Sequence, residues 1–280
     1  MSAVVLSGKD MAAELAQRQA ARAAALCQAG VRPTLAVIMV GEDPASAVYV
    51  RNKERACARI GIDSRTFRLP EDTDQETLHR QIDDLNVDPA VHGILVQLPL
   101  PGHLNESAAL LRVSAAKDVD GFHVVNSGRL FQGAPAVRPC TAQAILYMLK
   151  QAQVPLSGAN AVVVGRSNIV GKPTAMLLMQ ENCTVTVCHS RTRDLAAFTR
   201  QADILVAAVG HPRLITEEMV KPGAAVIDVG INRVEGKLCG DVDYDAVLPI
   251  AGYITPVPGG VGPMTVAMLM ENTLEAACRA

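Results

Sequence analysis

The chain has 280 residues, of which 49% are hydrophobic and 19% charged, and 26 Lys plus Arg stand against 28 Asp plus Glu for a net charge of −2. That balance excludes wholesale disorder and gives no electrostatic basis for binding nucleic acid or an anionic membrane. The length predicts two domains, and with no Trp, four Tyr and four Phe the cores must be built from Ala, Val, Leu, Ile and Met.

In chain order, Ala-rich stretches alternate with short Val/Ile/Leu runs, the pattern of parallel α/β layers. Residues 10–29 read as a helix stopped by Gly30, and residues 34–41 as a buried strand. Asp43-Pro44 reads as an N-cap followed by Pro at the first helical position, opening a helix over 45–60 that ends at Gly61. A strand at 65–69, a helix at 74–86 and a strand at 93–98 follow. Residues 112–140 change character, with DG, SG, QG, AP and RP turn signals, and a domain boundary is placed there. From Thr141 a helix leads to Pro155. A second series then begins, with strands at 160–165, 184–188, 203–209 and 224–229, an irregular stretch at 255–263 and a closing helix at 264–279.

The N-terminus has no basic region and too short an apolar run for a signal peptide, and no segment reaches the ~18 apolar residues of a membrane span. The seven Cys are odd in number and scattered without a CxxC, and the six His show neither HxxxH nor HxxE spacing. This predicts free thiols in a reducing cytosol and no metal site.

Four stretches carry candidate chemistry. Ala161–Pro173 reads strand, glycine turn, helix: Gly165 permits the turn, Gly171 allows close helix–strand packing, and the amides at the helix N-terminus suit a pyrophosphate. The GxSxxxG spacing departs from GxGxxG, but the surrounding strand–helix alternations predict a dinucleotide site. The following strand ends Cys188-His189-Ser190-Arg191-Thr192-Arg193 with no acid to take a ribose 2′-OH. Arg166, Ser190, Arg191 and Arg193 suit a 2′-phosphate instead, so NADP is expected over NAD; the alternative is a solvated basic loop.

Tyr49 and Lys53, at i and i+4, share one helix face. They are either a half-buried Tyr beside a Lys whose stem covers apolar surface, or an aromatic platform beside a proton carrier, since desolvation lowers a Lys pKa. Gln97 interrupts an apolar strand near the carboxyl end, where open α/β sheets bind ligands, and either satisfies local backbone or faces a site. In Lys117-Asp118-Val119-Asp120-Gly121 one carboxylate either serves the DG turn or, in a cleft, grips paired N–H donors of a heterocycle. The Pro256–Pro263 loop has three Gly that allow close backbone approach, or is only a domain crossover.

Together these segments resemble the bifunctional methylenetetrahydrofolate dehydrogenase/cyclohydrolase family of the FolD type. The matching blocks are Tyr49-Val-Arg-Asn-Lys53, Gly93–Pro101, Lys117–Phe122, Arg138–Thr141, Gly165–Gly171, Asp228–Asn232 and Ile254–Thr265, in the family's order and across nearly the whole chain. The resemblance implies two α/β domains: a three-layer folate domain at residues 1–139 plus 262–280, and a Rossmann-type NADP domain at 140–261, with the active site in the cleft between them. It implies oxidation of 5,10-methylenetetrahydrofolate with NADP+, then hydrolysis of the methenyl product to 10-formyltetrahydrofolate. By the same analogy Tyr49 stacks on the folate, Lys53 carries the acid/base role, Gln97 tunes Lys53 and Asp120 holds the pterin. Val96, Leu98, Pro258, Gly259, Gly260, Val261, Gly262 and Pro263 line the folate side. Gly165, Arg166, Ser167 and Ser190 hold the cofactor, with Ile231 beside its nicotinamide end. A cytoplasmic homodimer is expected. Many relatives read PCTP where this chain has Pro139-Cys140-Thr141-Ala142, leaving Thr141 to cap the next helix without Pro. A dehydrogenase without the hydrolytic step, a shikimate-dehydrogenase-like oxidoreductase and a non-catalytic sensor are the competing readings.

Overall fold

A computed structural model describes residues 3–279. The chain opens with β1 (Val4–Val5) and α1 (Gly8–Gln28), followed by β2 (Thr34–Val40), all seven residues of which are buried. Asp43 accepts a 2.7 Å hydrogen bond from the Ser46 amide to start α2 (Pro44–Ile60), and Gly61, at φ 91°, stops it. Next come β3 (Asp63–Leu69), α3 (Gln75–Val87) capped by Asp74, β4 (Gly93–Val96), α4 (Glu106–Arg112), α5 (Val124–Phe131) and α6 (Cys140–Gln151). The second series is β5 (Asn160–Val164), α7 (Gly171–Gln180), β6 (Thr184–Cys188), α8 (Leu195–Thr199), β7 (Ile204–Ala207), a 3-10 turn (Glu217–Met219) and β8 (Ala225–Asp228). It closes with β9 (Asn232–Val234), β10 (Lys237–Cys239), α9 (Tyr244–Val247), β11 (Tyr253–Ile254) and α10 (Val261–Ala277).

The chain divides into two compact units. One takes Ala13–Cys140 and the residues from Val266 on; the other takes the residues up to Ala12 together with Thr141–Thr265. In the first unit the parallel sheet runs β3-β2-β4, and Asp118 adds a lone parallel bridge to Ile94. Ala36, Ile38, Val40, Ile94 and Val96 on one face pack with Leu78, Ile82 and Leu85 of α3 and Ala109 of α4. The opposite residues, Leu35, Val37 and Met39, are equally buried, so both faces are covered, which is why β2 is apolar throughout. α10 joins α1 and α2 in this unit. Gln19 donates to the Ala267 carbonyl at 2.9 Å, Arg22 pairs with Glu271 and Glu275, and the Cys57 and Met270 sulfurs lie 3.5 Å apart.

In the second unit the strands run β1-β11-β8-β7-β5-β6, all parallel. The order reverses between β5 and β7, so a ligand belongs at their carboxyl ends. Val162, Val164, Leu205, Ala207 and Val226 form one core face, with Ala224, Val247 and Ala251.

The expected elements are present, with strands 93–98 and 203–209 trimmed to their hydrogen-bonded centres. The irregular reading of 112–140 missed α5, whose Gly128 weakens the helical signal. The paired residues β1, β11 and β9–β10 were also missed. Domain limits differ in three places, the smallest being Cys140, which ends the first unit and does not open the second. Residues before Ala13 fall with the second unit because Val4 pairs with Tyr253 and the Lys9 amide donates to the Gly259 carbonyl at 3.0 Å. Residues up to Thr265 also stay there, where the Thr265 and Thr141 hydroxyls meet at 3.3 Å. Thr141 does not cap α6, which already opens at Cys140. All seven cysteines are free thiols. Among the described residues no helix is long and apolar enough to cross a membrane, and no cluster of His, Cys, Asp and Glu suits a metal.

Candidate active site

In the first unit, α2 and the end of β4 converge on one hydrogen bond. Lys53 Nζ donates to Gln97 Oε1 at 2.9 Å, while Gln97 Nε2 donates to the Leu98 carbonyl at 2.6 Å. The Gln97 amide is itself tied to the Ile38 carbonyl at 2.8 Å. Gln97 therefore does both things the sequence allowed: it satisfies local backbone and presents its oxygen to a cation. Tyr49, one turn before Lys53, is 42% exposed, so its ring is offered rather than buried.

The two carboxylates of the Asp118–Asp120 segment have separate duties. Asp118, 4% exposed, accepts from the amides of Gly121 and His123 at 3.1 and 2.8 Å and from Asn126 Nδ2 at 2.9 Å; it is the turn's organiser. Gly121, at φ 76°, lies against Arg138 and Pro139 with no room for a Cβ. Asp120 is left for the site. Burial pushes its carboxyl up to about 6, with Asp118 adding to the rise while the Lys53 ammonium and the Cys140 thiol oppose it. Asn272 of α10 supports the segment by donating to the Val119 and Arg138 carbonyls at 2.8 and 3.0 Å. This unit thus holds a lysine with an acceptor on it, a carboxylate that ionises near neutrality, and an open aromatic ring.

The expected lining positions split. Leu98 is half-buried, but Val96 belongs to the core with α3, so a contact from Val96 would come through its backbone. Of the expected Pro256–Pro263 loop, in the second unit, the last three residues form the first turn of α10, where Val261 is buried, and Gly260 packs its backbone on Gly8 and on its own turn at Pro256. The close approach that Gly260 permits is therefore internal to the fold. Gly259 takes φ 107°, whereas Gly262 and Pro258 are exposed and Pro263 half-buried.

At the carboxyl end of β5, Gly165 takes φ 127° and a Cβ there would strike the Ala208 carbonyl oxygen. Gly171 is pressed on the Gly165 carbonyl in the same way, which brings the start of α7 down on the strand end. Ser167 Oγ accepts from the Val170 and Gly171 amides at 3.2 and 3.3 Å, so it shapes the loop and keeps its own hydrogen to donate. The Gly165 amide donates to the Cys188 carbonyl at 2.9 Å, setting the tips of β5 and β6 side by side. Arg166, Ser190, Arg191 and Arg193 all lie exposed at these tips. The nearest acid in sequence, Asp194, is used as the cap of α8, accepting from the Ala197 amide at 3.2 Å. The cluster fits a 2′-phosphate. The amides at the start of α7, expected to be open to a pyrophosphate, are instead held within the loop: Val170 and Gly171 donate to Ser167 Oγ and Lys172 to the Ser167 carbonyl.

Ile231 follows β8 and is 53% exposed. Around it lie residues for which sequence reading proposed no role. Asp228, at the end of β8, accepts from the amides of Gly230, Asp241 and Val242 at 2.9, 2.9 and 3.0 Å. Asp241 accepts from the Val209 and Gly210 amides at 2.7 and 3.0 Å and from Asn232 Nδ2 at 2.9 Å. The one signal for Asp228 is a carboxylate ending an apolar strand run; Asp241 and Asn272 have none.

Residues 6–120 match the family model for the tetrahydrofolate dehydrogenase/cyclohydrolase catalytic domain, and residues 139–280 that for its NAD(P)-binding domain. The bifunctional protein FolD of Ralstonia pickettii is 59% identical over all of this chain and 97% of its own length. The crystal structure of the FolD methylenetetrahydrofolate dehydrogenase/cyclohydrolase of Campylobacter jejuni superposes with a TM-score of 0.98 at 46% identity, covering 99% of both chains. The Trypanosoma brucei dehydrogenase-cyclohydrolase, solved with NADP and an inhibitor, gives a TM-score of 0.95 at 42% identity over 100% of this chain and 98% of that one. Matches of this extent set aside the shikimate-dehydrogenase-like alternative: the chain belongs to the tetrahydrofolate dehydrogenase/cyclohydrolase family.

Proposed function

We propose that this protein oxidises 5,10-methylenetetrahydrofolate to 5,10-methenyltetrahydrofolate with NADP+ and then hydrolyses the methenyl compound to 10-formyltetrahydrofolate. The observation that carries the reading is the 2.9 Å Lys53–Gln97 hydrogen bond with Asp120 in electrostatic reach of the same ammonium. Hydrolysis adds water to the methenyl carbon, opens the ring C–N bond and releases a proton. A lysine held by an amide oxygen is placed to manage that proton. Asp120 is an acceptor for paired N–H donors of the pterin, and Tyr49 offers a face for stacking. The oxidation asks less of the side chains, because placing the reacting carbon is most of the work.

NADP+, when bound, supplies the two-electron acceptor. The residues that would hold it are Gly165 and Ser167 for the pyrophosphate, and Arg166 and Ser190 with Arg191 and Arg193 for the 2′-phosphate. Ile231 supplies an apolar surface for the nicotinamide. Seven free thiols and a net charge of −2 support a reducing, cytoplasmic setting and no nucleic-acid partner. A homodimer is the assembly expected of the family, checked by sedimentation.

The test is reduced-cofactor formation by pure protein given 5,10-methylenetetrahydrofolate, with NADP+ and NAD+ in parallel. Faster turnover with NADP+ is expected. Preference for NAD+ would remove the 2′-phosphate assignment, and no turnover with either would remove the activity.

A further inference from the structure

We infer that Asp241, anchored by Asp228, is a positioning residue for the oxidation: it fixes the turn that holds Ile231 toward the nicotinamide. This rests on the reading of Ile231 given above. Asp228 and Asp241 are 3% and 0% exposed, and among the described residues neither forms a salt bridge. Burying two carboxylates without a cation is costly, and a fold that needed only stability would place apolar side chains there. What satisfies them instead is a set of loop N–H groups. Asp228 takes Gly230, Asp241 and Val242; Asp241 takes Val209, Gly210 and the Asn232 side chain.

The two residues flanking Ile231 are thus each tied to one of the two acids, Gly230 to Asp228 and Asn232 to Asp241. Asp241 also grips the residues that follow β7, so the loops after β7 and β8 are fixed as one piece. Two glycines complete the interlock: a Cβ on Gly230 would collide with Asp241, and one on Gly240 with Asp228. The result is a large apolar side chain, Ile231, held half out of the protein at the carboxyl edge of the sheet. That is where an open α/β sheet takes its ligand, and hydride transfer depends on fixed geometry there.

The test exploits hydrogen-bond polarity. In Asp241→Asn the remaining oxygen can still accept from Val209 and Gly210, but the new NH2 faces the NH2 of Asn232. The double variant Asp241→Asn/Asn232→Asp restores the bond with its polarity reversed. In Asp241→Asn, dehydrogenase kcat at saturating NADP+ is expected to fall about tenfold. Hydrolysis of added methenyl compound, assayed without cofactor, is expected to stay at the wild-type rate. Amide exchange across residues 230–232 of the cofactor-free protein should quicken, and the substrate deuterium isotope effect should rise. The double variant should recover all three. If Asp241→Asn does not fold, Asn232→Ala removes the same bond from the exposed side and is expected to act in the same direction, about threefold. Equal loss of both activities with no recovery in the double variant would overturn the inference, as would an Asp241→Asn enzyme with wild-type kcat and exchange. A wild-type protein that binds NADP+ yet oxidises no 5,10-methylenetetrahydrofolate would overturn the functional reading itself, and this inference with it.

Discussion

The two units make their sites from different material. In the first, the proposed chemistry rests on side-chain termini: the Lys53 ammonium, the Gln97 amide, the Asp120 carboxylate and the Tyr49 ring. In the second, the strand ends are shaped by backbone: Gly165 and Gly171 pressed into positions where no Cβ fits, and loops whose N–H groups are gathered by Asp228 and Asp241. Side-chain sites are lost by exchanging one functional group with the fold intact. Backbone sites are lost by adding atoms. The difference gives each unit its own mode of failure.

The largest expected effect is on the first unit. Lys53→Met removes the proposed proton carrier, and cyclohydrolase activity should fall by about 10²–10⁴-fold, with NADP+ affinity, measured by calorimetry, unchanged. Gly165→Ala is the counterpart in the second unit. It meets both a φ of 127° and the Ala208 carbonyl, so NADP+ should bind more weakly by a factor of about 10–100, while hydrolysis of the methenyl compound persists. If each variant damaged both activities equally, the division between side-chain chemistry and backbone binding would fail.

Asp120 sharpens the comparison because it is costly where it is proposed to work. Its carboxyl is pushed up to about 6, above the ordinary carboxylate value, so it is neutral below that pH and ionised above it. As a grip on N–H donors it should work in the ionised form, and the folate KM should rise as pH falls through 6. Asp120→Asn should raise KM about tenfold at pH 7.5 and flatten that profile. For stability the sign is opposite. A group whose folded value is raised contributes most below its unfolded value, and that contribution is lost as pH rises through 6. Asp120→Asn should therefore be more stable than wild type at pH 8 in denaturant melts, with the difference shrinking as pH falls through 6. The smallest effect is at the exposed rim of the second unit. Arg166→Ala should lower the NADP+ over NAD+ preference about fivefold, by removing one charge-assisted contact to the 2′-phosphate while Ser190, Arg191 and Arg193 remain.

What the sequence made legible follows the same division. Strands such as β2 and β5 and the caps at Asp43 and Gly61 carry local signals, and the structure places them as expected. Side-chain candidates were legible because a Tyr–Lys pair at helical spacing, or a Gln in an apolar strand, stands out from its neighbours. Which of Asp118 and Asp120 serves the turn was not legible, because it depends on amides brought back by Gly121 and His123. β1 and β11 are two residues each; β1 exists only by pairing with β11 across about 250 residues of chain, and β11 by lying between β1 and β8, which no local pattern records. Asp241 is hidden for the same reason: its partners come from the ends of β7 and β8, and only the folded sheet brings them together. The β9–β10 hairpin did leave a signal, Glu235-Gly236, where both residues take positive φ as a tight hairpin turn requires.

The most direct test of the account is a single time course on wild-type protein with 5,10-methylenetetrahydrofolate and NADP+, following reduced cofactor and 10-formyltetrahydrofolate together. The account predicts that both accumulate, with the formyl product trailing the reduced cofactor and methenyl compound present only transiently. Reduced cofactor with methenyl compound that persists at its uncatalysed lifetime would contradict the role given to Lys53 and Gln97 and leave a dehydrogenase alone.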